Sequence, residues 1–540
     1  MSKVNPTKPA GTPADHLNYM AGPSWDISDP IARLRMVASS CFFGEPQYYV
    51  EASSEEKKGR RRPTMWNRPD GEYHLSPAII RHLDDMLNRM DPQEWRGLGA
   101  KERMEAAIDA ALAHDVEATL QVAVDLRLAD HIRTTPQVIL VRAANYEPAK
   151  GTGLIRKYAP SIIQRTDEPA VQLAYQLATY GKPLPNSLKK AWRSYLAGQS
   201  SYSLAKYRME SRAVKTVDVV NLTHPAGNYI NQLVRGELET PSTWETKVSG
   251  AGSTPEVWAE AFDSMGHMAL LRNLRNLINK SSVDQYDIAT KLFAGAVTGQ
   301  QLPFRYWSAY QAVKGDKIKP VLMESIEDSL RKSCEALAFP GRVMSLCDNS
   351  GSAWGALTSE WGTVHVAEIA NLTAVLTAFA SEHGEVGVFG DTLSTFTVSH
   401  RSSVFDAVEK ANKLGHGVGG GTEHGIWLFW DKAIKENIHY DAVFVYSDMQ
   451  AGHGGLYGNC GYDAYVWPGD PRYRRYIDVP KLINTYRSKV NPNVEVFLVQ
   501  VAGYHDTIVP EHYNHTHILG GWSEGILQYA QRVLKPLPPQ

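Results

Sequence analysis

One change in hydrophobic period, near Pro340, constrains the fold of this chain more than any other feature. Before it, from about residue 77 to 335, apolar residues recur at helical spacing almost throughout. Ser76-Pro77 gives a cap and first-turn signal, followed by Ile79, Ile80, Leu83, Met86, Leu87 and Met90 on one face. AKERMEAAIDAALAHD, VEATLQVAVDLRLADHI, PQVILVRAANYE and EPAVQLAYQLATYG follow as short helices separated by brief polar breaks. No strict period appears. A long series of short amphipathic helices suits an α-solenoid of the HEAT type better than one oversized bundle.

After Pro340 strand and helix alternate. GRVMSLCD, DAVFVYSDM and VEVFLVQVAG read as strands buried on both faces, and EVGVFGDTLSTFTV as a pair of strands. VHVAEIANLTAVLTAFASEHG, SSVFDAVEKANKLG, GTEHGIWLFWDKAIKENI, PKLINTYRSKVNP and WSEGILQYAQRVLK read as helices. This predicts a doubly wound α/β domain on a parallel sheet. The expected division is an arm over 1–30, a helical repeat domain over 31–340 and an α/β domain over 341–540.

The 540 residues, 43% hydrophobic and 21% charged, exclude disordered, collagenous and coiled-coil classes. No apolar run reaches the ~18 residues of a membrane span, and the N-terminal stretch lacks the apolar core of a secretory signal. Cys41, Cys334, Cys347 and Cys460 are scattered, which fits a reducing compartment; a cytoplasmic location is expected. Residues 341–540 carry 14 Lys+Arg against 20 Asp+Glu, and residues 1–340 carry 42 against 38. That mild asymmetry allows an anionic partner on the first part and a cation on the second.

In a doubly wound sheet, ligands bind outside the carboxyl ends of the strands. Three loops there carry oxygen donors: Asp348-Asn349-Ser350-Gly351-Ser352, Thr422 behind Gly417–Gly421, and Asp448. Hard oxygen donors with few protein ligands suit Mg2+. Taken alone, D-x-S-x-S is also a turn with capping residues. His416, His424 and His453 lie nearby with no metalloprotease spacing, and the glycine run lacks the Lys-Ser/Thr of a phosphate loop.

D-x-S-x-S, a distant Thr and a later Asp together resemble the metal-ion-dependent adhesion site of a von Willebrand factor A domain. The resemblance implies a divalent cation held directly by Ser350 and Ser352. Asp348 and Asp448 would act directly or through water, and Thr422 would enter in one of two loop states.

Earlier in the chain, Cys41-Phe42-Phe43-Gly44-Glu45-Pro46-Gln47-Tyr48-Tyr49, Trp258-Ala259-Glu260, Met268-Ala269-Leu270-Leu271-Arg272-Asn273-Leu274 and Leu302-Pro303-Phe304-Arg305-Tyr306 stand in that order ahead of the α/β domain. They resemble the TROVE module of the Ro autoantigen family, and the resemblance covers roughly residues 25 to 535. It implies a monomeric ring (toroid) of HEAT-like helical repeats closed by the A domain. Y RNA would bind its outer surface, and 3′ ends of misfolded RNA its central hole. It implies no catalysis; a partner exoribonuclease would degrade the RNA.

The densest basic and aromatic stretch fits such a partner, since phosphates need cations and unpaired bases need flat faces. It contains Lys189, Lys190, Arg193, Lys206, Arg208, Arg212, Lys215 and His224. Lys206 and His224 match family positions. The third basic position falls on Arg208 or Arg212. A solvated helix face would have the same composition. Arg272 and Arg275 share one helix face and either line the hole or brace neighbouring repeats through carboxylates. Two alternatives stand beside RNA binding: a metal-dependent protein-interaction module with the helices as scaffold, and a metal-dependent hydrolase built on Asp348 and Asp448.

Overall fold

The computed structural model describes residues 16–17, 23–40, 100–210, 212–299, 301–335, 337–355, 365–419, 423–449, 479–501, 506–509, 515–521 and 524–534. The expected helix at 76–90, the F-G-E-P-Q-Y-Y segment at 43–49, Thr422, His453 and the 454–475 loop lie outside these residues. The chain divides into two compact units, one dominated by Met104–Glu335 and the other by the residues after 336 together with the N-terminal segment.

The first unit is all helix. Val116–Leu128, Thr134–Asn145, Leu154–Ile162, Glu168–Thr179 and Asn186–Ala197 follow one another, and each packs on neighbours one or two places along the chain. The same pattern returns in Pro255–Ser264, His267–Lys280, Gln285–Gly295, Pro303–Val313 and Pro320–Ser333. Stacking of near neighbours is how α-solenoid repeats bury their apolar faces. Caps punctuate the series: the Asp115 carboxylate accepts from Ala118 N–H at 2.9 Å, and the Ser200 hydroxyl accepts from Ser203 N–H at 3.1 Å.

A chain of buried hydrogen bonds links four of these helices. Gln137 donates to the Ile162 carbonyl at 3.0 Å, Gln172 donates to Gln137 Oε1 at 2.6 Å, and Trp192 Nε1 donates to Gln172 Oε1 at 2.6 Å. Leu188, Trp192 and Leu196 are fully buried at i, i+4 and i+8. The helix Asn186–Ala197 is therefore fixed in rotation, and its other face, with Lys190 and Arg193, points to solvent.

The second unit contains the strands, numbered here as β1 His16–Leu17, β2 Pro23–Asp26, β3 Phe339–Asp348, β4 Ser381–Phe389, β5 Leu393–Val398, β6 Ala442–Ser447, β7 Glu495–Gln500, β8 Asp506–Thr507 and β9 Thr516–Gly520. β1, β2 and β8 form a small antiparallel sheet. The other six run in the order β5-β4-β3-β6-β7-β9. Alternation on β6 shows the two faces. Val443 and Val445 pack with Ile426, Trp430 and Tyr486 of the helices Glu423–Lys435 and Val479–Lys489. On the opposite face, Phe444 stacks on Phe497 at 4.5 Å, and Tyr446 OH lies 2.6 Å from Thr377 Oγ1 of the helix Val366–Phe379. Both faces are covered by helices, as a doubly wound sheet requires.

Two expectations change. The sheet is not wholly parallel: β4 and β5 form an antiparallel hairpin at the edge, turning through Gly390-Asp391-Thr392. Also, the helix Pro30–Ser40, expected with the repeats, belongs to the sheet unit. Gly520 on β9 lies so close to it that a Cβ would meet Met36 O at 2.6 Å. Arg33 is spent locally, donating twice to the Ile27 carbonyl at 3.0 and 2.7 Å.

Candidate functional site

β3 and β6 are adjacent and parallel, so their carboxyl ends meet. Asp348 closes β3 and is fully buried; Ser447 closes β6, and Asp448 follows with 3% exposure. Asp348 Oδ2 accepts from the Ser447 hydroxyl, and Oδ1 accepts from Ser350 N–H at 2.9 Å. Ser350 and Ser352 hold their hydroxyl oxygens 3.1 Å apart. Gln500, at the end of β7, donates to the Asp448 carbonyl at 2.9 Å.

Burial, and then the neighbouring Asp448, push the Asp348 pKa up, while the hydrogen bonds from Ser447 and Ser350 pull it down. Two carboxylates out of water repel each other, and a divalent cation between them removes that repulsion. Asp348, Ser350, Ser352 and Asp448 thus form an oxygen-only donor set that fits a hard cation. Among the described residues no group of three or more His, Cys, Asp or Glu gathers at one point. His416 is exposed, and its ring lies 4.3 Å from that of Trp354, in the short helix that carries Ser352.

The basic cluster of the helical unit is built from three consecutive pieces. Asn186–Ala197 presents Lys190 and Arg193 to solvent, with Lys189 on its flank. Ser201–Lys206 ends in Lys206, whose Nζ sits 5.7 Å from the exposed Tyr202 ring and 5.6 Å from Tyr207. Tyr207 also receives Arg165 over its ring at 4.7 Å. Lys215 precedes the helix Thr216–Thr223, and His224 ends it in the left-handed region at φ 50°. The turn beyond His224 lies against the first of these helices, where a Cβ on Gly227 would meet Ala197 O at 2.7 Å.

Arg208 and Arg212, the two candidates for the third basic position, differ in their partners. Arg208 Nη2 donates to the Leu238 carbonyl, and Nη1 lies 3.7 Å from Glu210, so its guanidinium ties the chain together. Arg212 is exposed and forms no ion pair with a described residue. The side chains of Lys189, Lys190, Arg193, Lys206 and Lys215 likewise have no carboxylate partner among the described residues, while the Lys215 backbone N–H donates to Asp218 Oδ2 at 2.8 Å. Between 186 and 235 eight Lys+Arg face two acids. Arg272 and Arg275 separate in the same way: Arg275 pairs with Asp316 at 3.1 Å and braces a neighbouring turn, while Arg272 is exposed without such a partner.

Sequence reasoning passed over Ser447, Gln500 and Asn371, and named Asn349 only as part of its loop. Only Asn371 leaves a signal, as an amide inside an otherwise apolar stretch of helix.

Residues 233–329 match the family model of the TROVE domain. Over 323 residues the chain is 24% identical to telomerase protein component 1 of Rattus norvegicus. That alignment takes in 53% of this chain and 12% of the relative, so the chain spans a small fraction of that protein's length. Among solved structures, the Deinococcus radiodurans Ro (RSR) protein is similar, with a TM-score of 0.55 and 14% identity over 94% of this chain and 100% of that one.

Proposed function

We propose that the chain is an RNA-binding protein of the TROVE type; the match of residues 233–329 to the TROVE domain model and the fold similar to that of a Ro protein support the reading. One observation carries the reading. Lys189, Lys190, Arg193, Lys206, Arg212 and Lys215 lie close together in the chain, on the helices Asn186–Ala197 and Ser201–Lys206 and in the segment that leads into Thr216–Thr223, and their side chains have no carboxylate partner among the described residues. Cations held near one another without counter-charges attract a polyanion, and Tyr202 beside Lys206 adds a face for stacking. In the finer reading, a small structured RNA of the Y type binds the Lys189–His224 surface. The 3′ ends of misfolded RNA engage a second cationic face that includes Arg272, beside Arg275, whose guanidinium is paired with Asp316. The protein acts in noncoding RNA quality control as a cytoplasmic monomer. It performs no catalysis itself and hands RNA to an exoribonuclease. Among the described residues no helix is long and apolar enough to cross a membrane.

The test is twofold. RNAs that co-purify with the tagged protein from its own cells are sequenced, and Lys206→Ala combined with His224→Ala is titrated against a stem RNA and a free 3′ tail. Loss confined to the stem supports two surfaces; equal loss of both contradicts them.

A second reading is favoured by the buried pair Asp348 and Asp448. It makes the sheet unit a Mg2+-dependent interaction module, held by Asp348, Ser350, Ser352, Thr422 and Asp448, that captures a partner's carboxylate. Asp348→Ala would then abolish partner capture and leave RNA binding intact. RNA turnover by a nuclease-free preparation, lost in Asp448→Ala, would instead support hydrolysis.

A further inference from the structure

We infer that Asn371 is a positioning residue for the cation site, acting through an amide ladder that also reaches the helix Val404–Gly415; this rests on the Mg2+ reading above. Asn349 stands between Asp348 and Ser350 and is 1% exposed. Its side-chain Nδ2 donates to Asn371 Oδ1 at 2.7 Å, and its Oδ1 accepts from Asn371 Nδ2 at 3.0 Å. Asn371 Nδ2 also donates to Asn412 Oδ1 at 2.7 Å. Every hydrogen-bonding position of the fully buried Asn371 amide except one acceptor lone pair is used.

An amide is costly where Ile369, Leu372 and Val375 show that apolar side chains fit, so its place needs a reason. The ladder supplies one. It joins the loop after β3, the helix Val366–Phe379 and the helix Val404–Gly415. The last of these leads directly into Gly417–Gly421 and Thr422. At its end the backbone comes so near that a Cβ on Gly415 would meet Asn349 Oδ1 at 2.0 Å. The loop that carries Asp348, Ser350 and Ser352 is therefore tied to two helices by one hydrogen-bonded unit. Partners behind metal ligands commonly set their orientation.

The experiment uses the full chain and Mg2+, read by titration calorimetry and by the Tm gained on adding the ion. Asn371→Leu is compared with Val375→Ala, a core truncation on the same helix. Asn371→Leu should weaken Mg2+ binding ~10-fold or more, the scale for such partners. Val375→Ala should lower Tm and leave the Mg2+ affinity of the folded protein unchanged. Asn412→Ala, two side chains from Asp348, should weaken binding in the same direction by a smaller factor, and it carries the test if Asn371→Leu fails to fold. Mg2+ binding within twofold of wild type in these variants overturns the positioning role alone. A wild-type chain that takes up no Mg2+ overturns the cation site and the role together.

Discussion

Salt titration of RNA affinity puts a number on the basic cluster. Six side chains, Lys189, Lys190, Arg193, Lys206, Arg212 and Lys215, are available to phosphates, and Arg208 is set aside because it bonds the Leu238 carbonyl. Each neutralised phosphate contributes ~0.7 to the slope of log affinity against log salt on single strands and ~0.9 on duplex. Full engagement gives a slope of about 4 to 5. Raising salt fourfold, from ~50 to ~200 mM, then weakens binding by roughly 300- to 2,000-fold. The assay is fluorescence anisotropy of an end-labelled stem RNA across that range. Replacing Lys189, Lys190 and Arg193 together by Ala should cut the slope by about 2 to 3, while Arg208→Ala should lower Tm more than it changes the slope. A slope below about 1 in the wild type, or an unchanged slope in the triple variant, would refute the reasoning.

The other expectations concern stability. Asp348→Asn removes one of two buried like charges, so the metal-free protein should gain Tm and lose its response to Mg2+ in differential scanning fluorimetry. Trp192→Phe leaves Gln172 Oε1 without its donor and should cost about 1–3 kcal/mol in urea melts; a neutral result would mean that the amide relaxes or finds water. Glu495 gives a pH signature. Burial pushes its pKa up, but hydrogen bonds with His517 and His515 outweigh that and hold it below its ordinary 4.5. A depressed carboxylate stabilises the fold above its unfolded value and loses that contribution as pH falls through the folded one. Glu495→Gln should therefore be less stable than wild type near neutrality, and the gap should shrink once pH drops below about 4.5; a constant gap would contradict the assignment.

Much of this architecture is legible in the chain because its elements bury simple faces. Ala100–His114, Val116–Leu128 and Val404–Gly415 lie within a few residues of where apolar spacing places them, and β6 is buried along its whole length as a continuous apolar run should be. The errors have physical causes. Ser381-Glu382-His383-Gly384 looks like the polar end of a helix, yet it opens β4, where Gly384 is needed because a Cβ would meet Ala378 O at 1.9 Å. β9 is only half-buried, so it carries little apolar signal. At the candidate sites the oxygen donors of Asp348, Ser350 and Ser352 could be named from spacing. What sets Arg208 apart from Arg212, or ties Asn371 to Asn349, is a partner distant in sequence, and local pattern carries no trace of it.

The amide relay from Gln137 through Gln172 to Trp192 has a mechanical consequence. Greasy helix faces tolerate slippage, since one leucine substitutes for the next. Directional polar bonds do not: sliding any of these three layers by one residue would strand donors and acceptors in a dry interior. The stack is thereby keyed, tooth into notch, and insertions should be tolerated in the connecting turns far more readily than within the layers themselves.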